Sequence, residues 1–497
     1  CECAMASART HCWPTMRLCS SQLGRSKFCA VCVALVLCIR PLVHLFTAAP
    51  AERVGVHAPF LIALLLAPEQ AAIRSMEELP IAIPAAPPAH DADWLSRDWR
   101  SSSDARALSA LLFEVERTVA HSVIPPKMRK KLRDNGRDEA KFERQECITI
   151  ASRFLPHEAL SFNRVRSQRF TGQGSTGGGA LSSVSQPAGS RPELSADAEV
   201  GGAPLHELAA ALDRQRCQPD DLCDAINSTM ADSSIGHLQS DAAVAFANMG
   251  RVTALHGVVA ARRATSPLRL RRGDLRGMFA MAHEWFVAAR VAHGHAALYP
   301  TLSFDSLRNG GASLLHPHLQ TRLGRTRYAG RWEAVREGAA RYARQTGRSF
   351  HQDVAAAHVR LGLSITRTDT FVAYASLTSA GAGVQIEIVG DTRASELATA
   401  PRAAAHAAEL GAMFFKVLRT AHGTLGWDGF SASCALPPLA ASDVGLPWLC
   451  RLVKRGSYNG VVSDISANEL YEIPVVPVDL VDAAERMRRY MVAEGLS

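Results

Sequence analysis

Residues 309–320 read NGGASLLHPHLQ, and this stretch of the chain says most about both fold and function. It places a glycine turn before a segment in which His316, His318 and Gln320 occupy alternate positions. If that segment is an extended strand, the three side chains share one face at intervals of about 6.5–7 Å. Pro317 has no N–H to donate, so it fits only an edge or irregular position, where backbone can meet a ligand.

The residue types in this stretch suit phosphoryl chemistry. A neutral imidazole can attack phosphorus and leave again when a second acceptor arrives. The amide of Gln320 can hydrogen-bond the transferred phosphoryl oxygens. Ser313 offers a hydroxyl and a backbone N–H to an anion, and the glycines allow close backbone approach. Two histidines alone would more often be packing residues, but the turn, Ser313, Pro317 and Gln320 together favour a phosphate site.

Two stretches of the chain share one order of elements. Asp274–His293 has apolar residues at helical spacing and precedes a strand-like run, a glycine turn and LLHPHLQTRL. Ala403–His422 is again amphipathic and precedes the strand-like WDGFSASCAL, a Pro/Gly-rich connection and LPWLCRLVKR. Matching Pro317 to Trp448 aligns the two series. This order predicts an α+β protein of two similar half-units, each an antiparallel sheet with packed helices.

The first 75 residues read as a leader or targeting region. They hold seven of the twelve cysteines and an apolar run, Phe28–Ile39, that follows basic residues. Twelve apolar residues are too few to span a bilayer, which takes about 20. We expect delivery to an organelle (plastid or mitochondrion) or to the secretory route, otherwise a cytoplasmic protein, and a mature chain that does not span a membrane. A true start at Met76 is the alternative.

Composition divides the rest of the chain. We expect a linker and a helical N-terminal extension over 76–145, followed by the first half-unit over 146–330. The first half-unit contains a Gly/Ser-rich insertion at 171–203, which has almost no large apolar residues. The second half-unit is expected over 331–497.

Overall composition excludes several classes of protein. The 497 residues carry 55 Lys and Arg against 47 Asp and Glu, a net charge of +8 that favours anionic ligands without specific nucleic-acid binding. At 47% hydrophobic and 21% charged residues, the chain is neither disordered throughout nor collagenous. A mean hydropathy of −0.01 excludes a polytopic membrane protein. The clustering of cysteines near the start argues against a disulfide scaffold.

The block from Gly311 to Gln320 resembles the G-x-S-x-x-H-P-H-x-Q signature of the hexose-1-phosphate uridylyltransferases. These enzymes belong to the histidine-triad superfamily and include the uridylyltransferases of galactose metabolism. Weaker similarity covers about residues 146–490, and only the His-Pro-His block is specific. The resemblance implies that the two half-units are histidine-triad-like.

The resemblance also implies a ping-pong nucleotidyl transfer. His318 would take the nucleoside monophosphate, UMP, from a nucleoside diphosphate-sugar, and a sugar 1-phosphate would then accept it. His316 would be the metal-linked or orienting histidine, with zinc as the implied cofactor. Gln320 and Ser313 would contact phosphate, and the substrate site would extend to Gly311, Asn309 and Asp305. The candidate assembly is a homodimer.

Several positions depart from the pattern of the family. Asp305 stands where asparagine is usual, and Leu307 where glycine is usual. Cys217 and Cys223 are spaced C-x5-C instead of the C-x-x-C of a zinc pair, and Leu449 replaces the histidine of the second half. Two alternatives therefore stay open. One is a catalytically inactive nucleotide-binding or structural subunit of an organellar complex, and the other is a dinucleotide or sugar-nucleotide phosphorylase.

Overall fold

The part of the chain described by the computed structural model belongs to the unit that spans Pro80–Ser497. It comprises residues 103–163, 165, 195, 197–215, 222–263, 266–294, 299–379, 381, 383–390, 402–440, 445–460 and 465–496. The predicted leader at 1–75 and most of the predicted insertion at 171–203 lie outside the described residues.

Helices and antiparallel strands alternate along these residues. The helices are α1 (Ser103–Leu112), α2 (Pro126–Asp134), α3 (Glu139–Glu143), α4 (His206–Gln215), α5 (Ala225–Ser228), α6 (Arg272–His293), α7 (Arg331–Thr346), α8 (Phe350–Arg360), α9 (Ala403–Leu425), α10 (Ala467–Tyr471) and α11 (Leu480–Ala493). Among them, none is both long enough and apolar enough to cross a bilayer.

Fourteen strands are found in the same described segments. They are β1 (Phe113–His121), β2 (Arg144–Ser152), β3 (Ala159–Phe162), β4 (Leu238–Gln239), β5 (Ala243–Ala247), β6 (His256–Ala261), β7 (Tyr299–Asp305), β8 (His318–Gly324), β9 (Ser364–Arg367), β10 (Phe371–Ala375), β11 (Gln385–Gly390), β12 (Phe430–Ala435), β13 (Leu449–Lys454) and β14 (Val475–Val476).

Ten strands form one antiparallel sheet in the order β4-β5-β6-β8-β7-β12-β13-β11-β10-β9. Read from its two edges, the sheet has the same order twice, β4-β5-β6-β8-β7 and β9-β10-β11-β13-β12, and the two series meet where β7 pairs with β12. The predicted α+β class with antiparallel sheets is confirmed. The interpretation of these two series as histidine-triad-like units stays a prediction.

The two longest helices pack against each other on one face of this sheet. α6 connects β6 to β7, and α9 connects β11 to β12, so both occupy the same place in the repeated order. The rings of Phe279 and Phe414 are 5.3 Å apart between the helices, and Phe304 of β7 stacks on Phe414 at 6.2 Å. A Cβ on Gly411 would lie 2.4 Å from the Leu275 carbonyl oxygen, so glycine is what lets the two helices approach this closely.

A second, four-stranded sheet has the order β1-β2-β3-β14, with β14 parallel to β3. Its first strand differs from our prediction, because the sequence analysis assigned residues 76–145 to a linker and helices. The structure has helices at α1, α2 and α3 but a strand at Phe113–His121. β-Branched residues such as Val115, Thr118 and Val119 favour a strand, and all nine residues pair with β2. Pairing with β2, which begins at Arg144, is what makes this segment a strand.

One disulfide joins the second series of strands in the described part of the chain. Cys434 of β12 and Cys450 of β13 stand directly opposite each other, with their Cα atoms 4.0 Å apart, and both side chains are buried. The concentration of cysteines near the start of the sequence gives no indication of this pair. It is a single cross-strand bond within a core, which differs from a disulfide scaffold.

Three buried histidines are held in their neutral form. Burial lowers the pKa of His351, His358 and His422 to about 4 in each case. In His358, Nδ1 donates to the Val354 carbonyl at 2.7 Å, and Nε2 accepts from the Leu377 N–H at 3.0 Å. A protonated ring would have no lone pair to accept that second bond. The hydrogen bonds of His358 therefore favour the neutral ring, as its burial does.

We expect the free energy of unfolding to fall as the pH drops from about 6.5 towards 4. The unfolded chain takes up protons at the ordinary histidine pKa, whereas the folded chain takes them up only near the lowered values. Between these two pKa values, each of these histidines lowers the free energy of unfolding by about 1.4 kcal/mol per pH unit. Urea unfolding between about pH 7.5 and 5 measures the effect. His358→Leu should show a shallower dependence, whereas exposed His121→Leu should keep the wild-type dependence. A flat wild-type profile would contradict the expectation.

Candidate active site

The glycine turn before β8 is held by neighbouring backbone. The Ser306 N–H donates to the Phe430 carbonyl at 2.9 Å, and the Ala312 N–H donates to the Leu307 carbonyl at 3.0 Å. A Cβ on Gly310 would lie 2.1 Å from the carbonyl oxygen of Ser306 and 2.6 Å from that of Phe430. Packing within the protein therefore explains this glycine, without a ligand.

Gly310→Ala should destabilise the turn that leads into β8. The added methyl group would have to push apart two backbone carbonyls, at a cost of about 1–3 kcal/mol in the free energy of unfolding. Denaturant unfolding is the measurement. The matched control is Gly273→Ala in the first turn of α6, where a Cβ would meet nothing within 4 Å and alanine favours the helix. Equal denaturation midpoints for the two variants would refute the interpretation.

Leu307 adopts a backbone conformation that normally favours glycine. Its φ is 62°, the one positive value outside glycine among the described residues. The left-handed conformation costs roughly 1–2 kcal/mol. Its side chain is buried with Leu212 of α4 and Leu268, and partly buried Leu315 and Tyr458 pack against them. Burying a leucine contributes about 1.5–3 kcal/mol, which is enough to offset the strain.

The side chains of β8 alternate between the two faces of the sheet. A Cβ on Gly257 would lie within 2.8 Å of both Thr321 Oγ1 and the Trp285 ring of α6, so Thr321 faces the helices. His318, Gln320 and Arg322 alternate with Thr321 and its buried neighbours, and they are half-buried on the opposite face. The predicted alternation therefore holds from His318 onwards. It does not include His316, because the strand begins after Pro317.

One ring nitrogen of His318 is fixed by the chain itself. Nδ1 lies 2.8 Å from the His316 carbonyl oxygen, which can only accept, so Nδ1 carries the proton. In the neutral ring the lone pair is then on Nε2. The backbone turn at Pro317 thus positions the neighbouring imidazole and selects its tautomer.

Asp305 lies beside His318 on the neighbouring strand. On β7, Ser303 pairs with Gln320 of β8, and Asp305 follows two residues later on the same face. Burial raises the pKa of Asp305, although its interactions with Ser431 and with the charges of Arg455 and His318 oppose the shift. Asp305 therefore lies among hydrogen-bonding and cationic groups on the face that carries His318.

Gln320 is held by two donors that sequence reasoning missed. Its Oε1 lies 3.1 Å from His256 Nε2 and 3.3 Å from Arg322 Nη2. Arg322 continues the alternation of His318 and Gln320 by one more step, a signal that the sequence did contain. His256 belongs to β6, and only the pairing of β6 with β8 brings it here.

His316 is buried just before β8 begins. Its ring is buried, with Nε2 lying 2.6 Å from the Ala261 carbonyl oxygen and Nδ1 lying 3.9 Å from Cys223 Sγ. A structural zinc ion takes four ligands. In the described segments, no group of three or more His, Cys, Asp and Glu side chains could hold a metal, and Cys217 lies outside them. The described residues thus bring together two side chains of ligand type, His316 and Cys223, and zinc remains a prediction.

The other predicted site residues lie on the glycine turn. Asn309 Nδ2 donates to the Gly456 carbonyl, so its side chain ties the turn to the segment after β13. Gly311 has a φ of 95°, and both it and Ser313 are exposed. The turn therefore places Ser313 at the surface, and the Gly310 carbonyl connects the turn to Ser431, which also hydrogen-bonds Asp305.

The second series of strands has a different residue in each corresponding place. β13 begins at Leu449 as β8 begins at His318, so leucine replaces the candidate nucleophile. Two residues further on, Arg451 replaces Gln320. The departure found in the sequence at Leu449 thus falls on the structural counterpart of His318.

Arg451 belongs to a buried ion cluster. Its Nη2 donates to Glu158 Oε2 at 3.1 Å, its Nε lies 3.2 Å from Glu387 Oε1, and its guanidinium lies 5.2 Å from the Trp332 ring. Glu387 also accepts from the Tyr374 hydroxyl at 2.8 Å. In the second series, buried side chains thus surround the position that corresponds to Gln320, whereas the residues around His318 in the first series are half-buried. This arrangement favours a structural role for the second series.

No protein-family model and no curated protein matches this sequence. Among solved structures, an ADP-glucose phosphorylase from Arabidopsis thaliana with bound ADP-glucose aligns with 67% of this chain and 96% of its own, at 13% identity and a TM-score of 0.47. A galt-like protein from Arabidopsis thaliana aligns with 54% of this chain and 91% of its own, at 16% identity and a TM-score of 0.43. A uridylyltransferase aligns with 55% of this chain and 91% of its own, at 14% identity and a TM-score of 0.44. TM-scores this low leave the activity to be argued from the site.

Proposed function

We propose that this protein is a nucleotidyltransferase. It would move UMP from a nucleoside diphosphate-sugar to a sugar 1-phosphate through a covalent intermediate on His318. The observation that carries the proposal is the tautomer of His318, whose Nδ1 is 2.8 Å from the His316 carbonyl oxygen. That bond leaves the Nε2 lone pair available on a half-buried face, as nucleophilic attack on phosphorus requires.

The reaction balances in two half-reactions. In the first, His318 Nε2 forms a bond to the α-phosphorus, and the bond from that phosphorus to the bridging oxygen breaks. The bridging oxygen keeps the electron pair and leaves with the sugar 1-phosphate. In the second, an oxygen of the incoming sugar 1-phosphate bonds to phosphorus and the electron pair of the N–P bond returns to Nε2. The His316 carbonyl accepts a hydrogen bond from the Nδ1–H group throughout, and this bond stabilises the positive ring of the intermediate.

Charges around His318 support an anionic substrate. Arg322 and Arg455 both interact electrostatically with Asp305, so two cations lie close to the proposed nucleophile. Gln320 adds amide donors on the same face. These groups would stabilise the negative charge that develops on the phosphoryl oxygens.

The repeated strand order supports a histidine-triad-like interpretation of both halves, in which only the first is catalytic. The first series carries His318 and its donors, whereas the second carries Leu449 and the cluster around Arg451. In this proposal the second series supports the first, since Arg455, which follows β13, donates to the Gly310 carbonyl and to Ser431.

The test is covalent labelling of the purified protein. UDP-glucose is incubated with the wild type, and ADP-glucose, which one of the compared structures binds, serves as a second donor. Intact mass should increase by one nucleoside monophosphate, and the label should be labile in acid and stable in base. His318→Asn should take no label, and His121→Asn, altered on an exposed strand, should label as the wild type does. Unlabelled wild type, beside a transferase that labels, would refute the proposal.

Release of the label separates the remaining alternatives. Glucose 1-phosphate should remove the label in either case, because it reverses the first half-reaction. Removal by a second sugar 1-phosphate such as galactose 1-phosphate, but not by inorganic phosphate, identifies a transferase, whereas removal by inorganic phosphate identifies a sugar-nucleotide or dinucleotide phosphorylase. A protein that binds the donors without taking a label is the non-catalytic subunit that the buried cluster at Arg451 and the carboxyl of Asp305 favour.

A further inference from the structure

The orientation of the Gln320 amide is set from one side. Its Oε1 lies between two nitrogens, His256 Nε2 at 3.1 Å and Arg322 Nη2 at 3.3 Å. Arg322 can only donate, so the atom of Gln320 that faces it has to be the carbonyl oxygen. The amide NH₂ group therefore occupies the other end of the side chain.

The tautomer of His256 agrees with this orientation. The Val252 N–H donates to Nδ1 at 3.2 Å, so Nδ1 has no proton and the neutral ring carries it on Nε2, opposite Gln320 Oε1. The Asn248 amide nitrogen, 3.3 Å from Nε2, is the more distant neighbour and cannot donate to a protonated nitrogen. Burial lowers the pKa of His256, and the nearby Arg322 charge adds to the effect, which keeps the ring neutral.

His256 is well placed for this contact and for nothing else at the site. It is 2% exposed and stands directly opposite Arg322 in the pairing of β6 with β8. Gln320 lies between Arg322 and His318 on that strand. A group attached to His318 Nε2 would therefore meet Gln320 before it could meet the buried His256.

We propose that His256 is a positioning residue, which by donating to Gln320 Oε1 holds the Gln320 NH₂ group towards the phosphoryl group carried by His318. The inference rests on the proposed transfer. If the amide rotated by half a turn, its carbonyl oxygen would face the anionic phosphoryl oxygens and repel them. The fixed orientation therefore keeps an amide donor directed at the phosphoryl oxygens, so the donor does not have to reorient during the reaction.

Nuclear magnetic resonance tests the hydrogen bond without any need for turnover. In protein with ¹⁵N-labelled histidine at about pH 7.5, His256 should be the neutral Nε2–H tautomer. Gln320→Ala should shift the Nε2–H signal, because its acceptor is removed. A His256 ring protonated on Nδ1 would overturn the proposal, as would an Nε2–H signal that Gln320→Ala leaves unchanged.

A double-mutant cycle tests the consequence for the reaction. His256→Phe should slow the labelling of His318 about 10- to 100-fold, the range expected from one lost hydrogen bond near a charged group. In a Gln320→Ala background, the same substitution should change the rate less than about twofold, because the residue it acts through is gone. His256→Gln keeps a donor towards Gln320 and should recover most of the rate.

The double-mutant cycle distinguishes a positioning role of His256 from a structural one, provided that each variant is shown to be folded. Equal fold-losses from His256→Phe in both backgrounds would show a merely structural role and refute the proposal, and circular dichroism at the assay temperature identifies unfolded variants. A wild type that takes no label refutes the proposed transfer. In that case the tautomer measurement still decides whether His256 orients Gln320.

Discussion

His318→Asn is expected to lose turnover almost completely while keeping the fold and the affinity for substrate. Asparagine retains a side-chain N–H that can donate to the His316 carbonyl, as Nδ1 of the imidazole does at 2.8 Å. It has no second nitrogen with a lone pair, so the covalent intermediate cannot form. We expect kcat to fall at least about 10³-fold, since loss of a nucleophile typically removes most of the rate enhancement.

Steady-state transfer and equilibrium binding together measure this effect. Transfer between UDP-glucose and a second sugar 1-phosphate gives kcat, and calorimetric titration with UDP-glucose gives the affinity. The affinity should change by less than about tenfold, because the neighbouring donors remain. The control is His406→Asn on α9, far along the chain from β8 and outside the proposed chemistry. Turnover within tenfold of the wild type in His318→Asn would exclude His318 as the nucleophile.

Arg451→Met is expected to cause the largest loss of stability of any single change discussed. The side chains of Glu158 and Glu387 are only 3% and 5% exposed, so removing Arg451 leaves two carboxyl groups facing each other in the core. Removing one partner of a buried ion pair costs about 3–5 kcal/mol because the remaining charge is uncompensated. We expect the free energy of unfolding to fall by that amount in denaturant titrations.

The surface pair between Arg117 and Glu146 provides the control. Its side chains are 33% and 43% exposed, so Arg117→Met should cost less than about 1 kcal/mol. A second test combines Arg451→Met with Glu158→Leu and Glu387→Gln, which removes the unpaired charges and should recover part of the loss. If Arg451→Met unfolds at the same denaturant concentration as Arg117→Met, the cluster does not hold the fold together.

The pKa shifts of the two carboxyl groups in this cluster have opposite signs: burial raises the pKa of Glu158, whereas that of Glu387 is lowered. Although burial alone would raise it, the Arg451 guanidinium and the Tyr374 hydroxyl hold the pKa of the Glu387 carboxyl below its ordinary value. The stability from this group is present above the ordinary carboxyl pKa and is lost as the pH falls through the lowered one. It therefore weakens at lower pH than the stability that depends on the neutral histidines.

Local sequence was enough to predict corresponding elements in both series of strands. The amphipathic spacing of 274–293 and of 403–422 predicted two helices, found at Arg272–His293 and Ala403–Leu425. Matching Pro317 to Trp448 placed the starts of β8 and β13 in register. These features depend on residues within a few turns of one another, which is why periodicity reveals them.

Other features could not be predicted because their partners come from distant segments. Phe113–His121 is a strand since it pairs with β2. His316 lies outside β8, and its ring contacts the Ala261 carbonyl, 55 residues away. Nothing in the local pattern around Arg451 indicates its contact with Glu158, 293 residues away.

The sequence by itself determined the chemical types at the site: an imidazole before a glutamine on alternate positions, and a glycine turn ahead of them. The tertiary structure decided which of these groups can act. It fixed the tautomer of His318 through the His316 carbonyl, oriented Gln320 from a histidine 64 residues away, and replaced a second site by buried charges around Arg451. The physical reason is that hydrogen-bond geometry and burial, which set tautomers and pKa values, arise only when strands distant in sequence become neighbours.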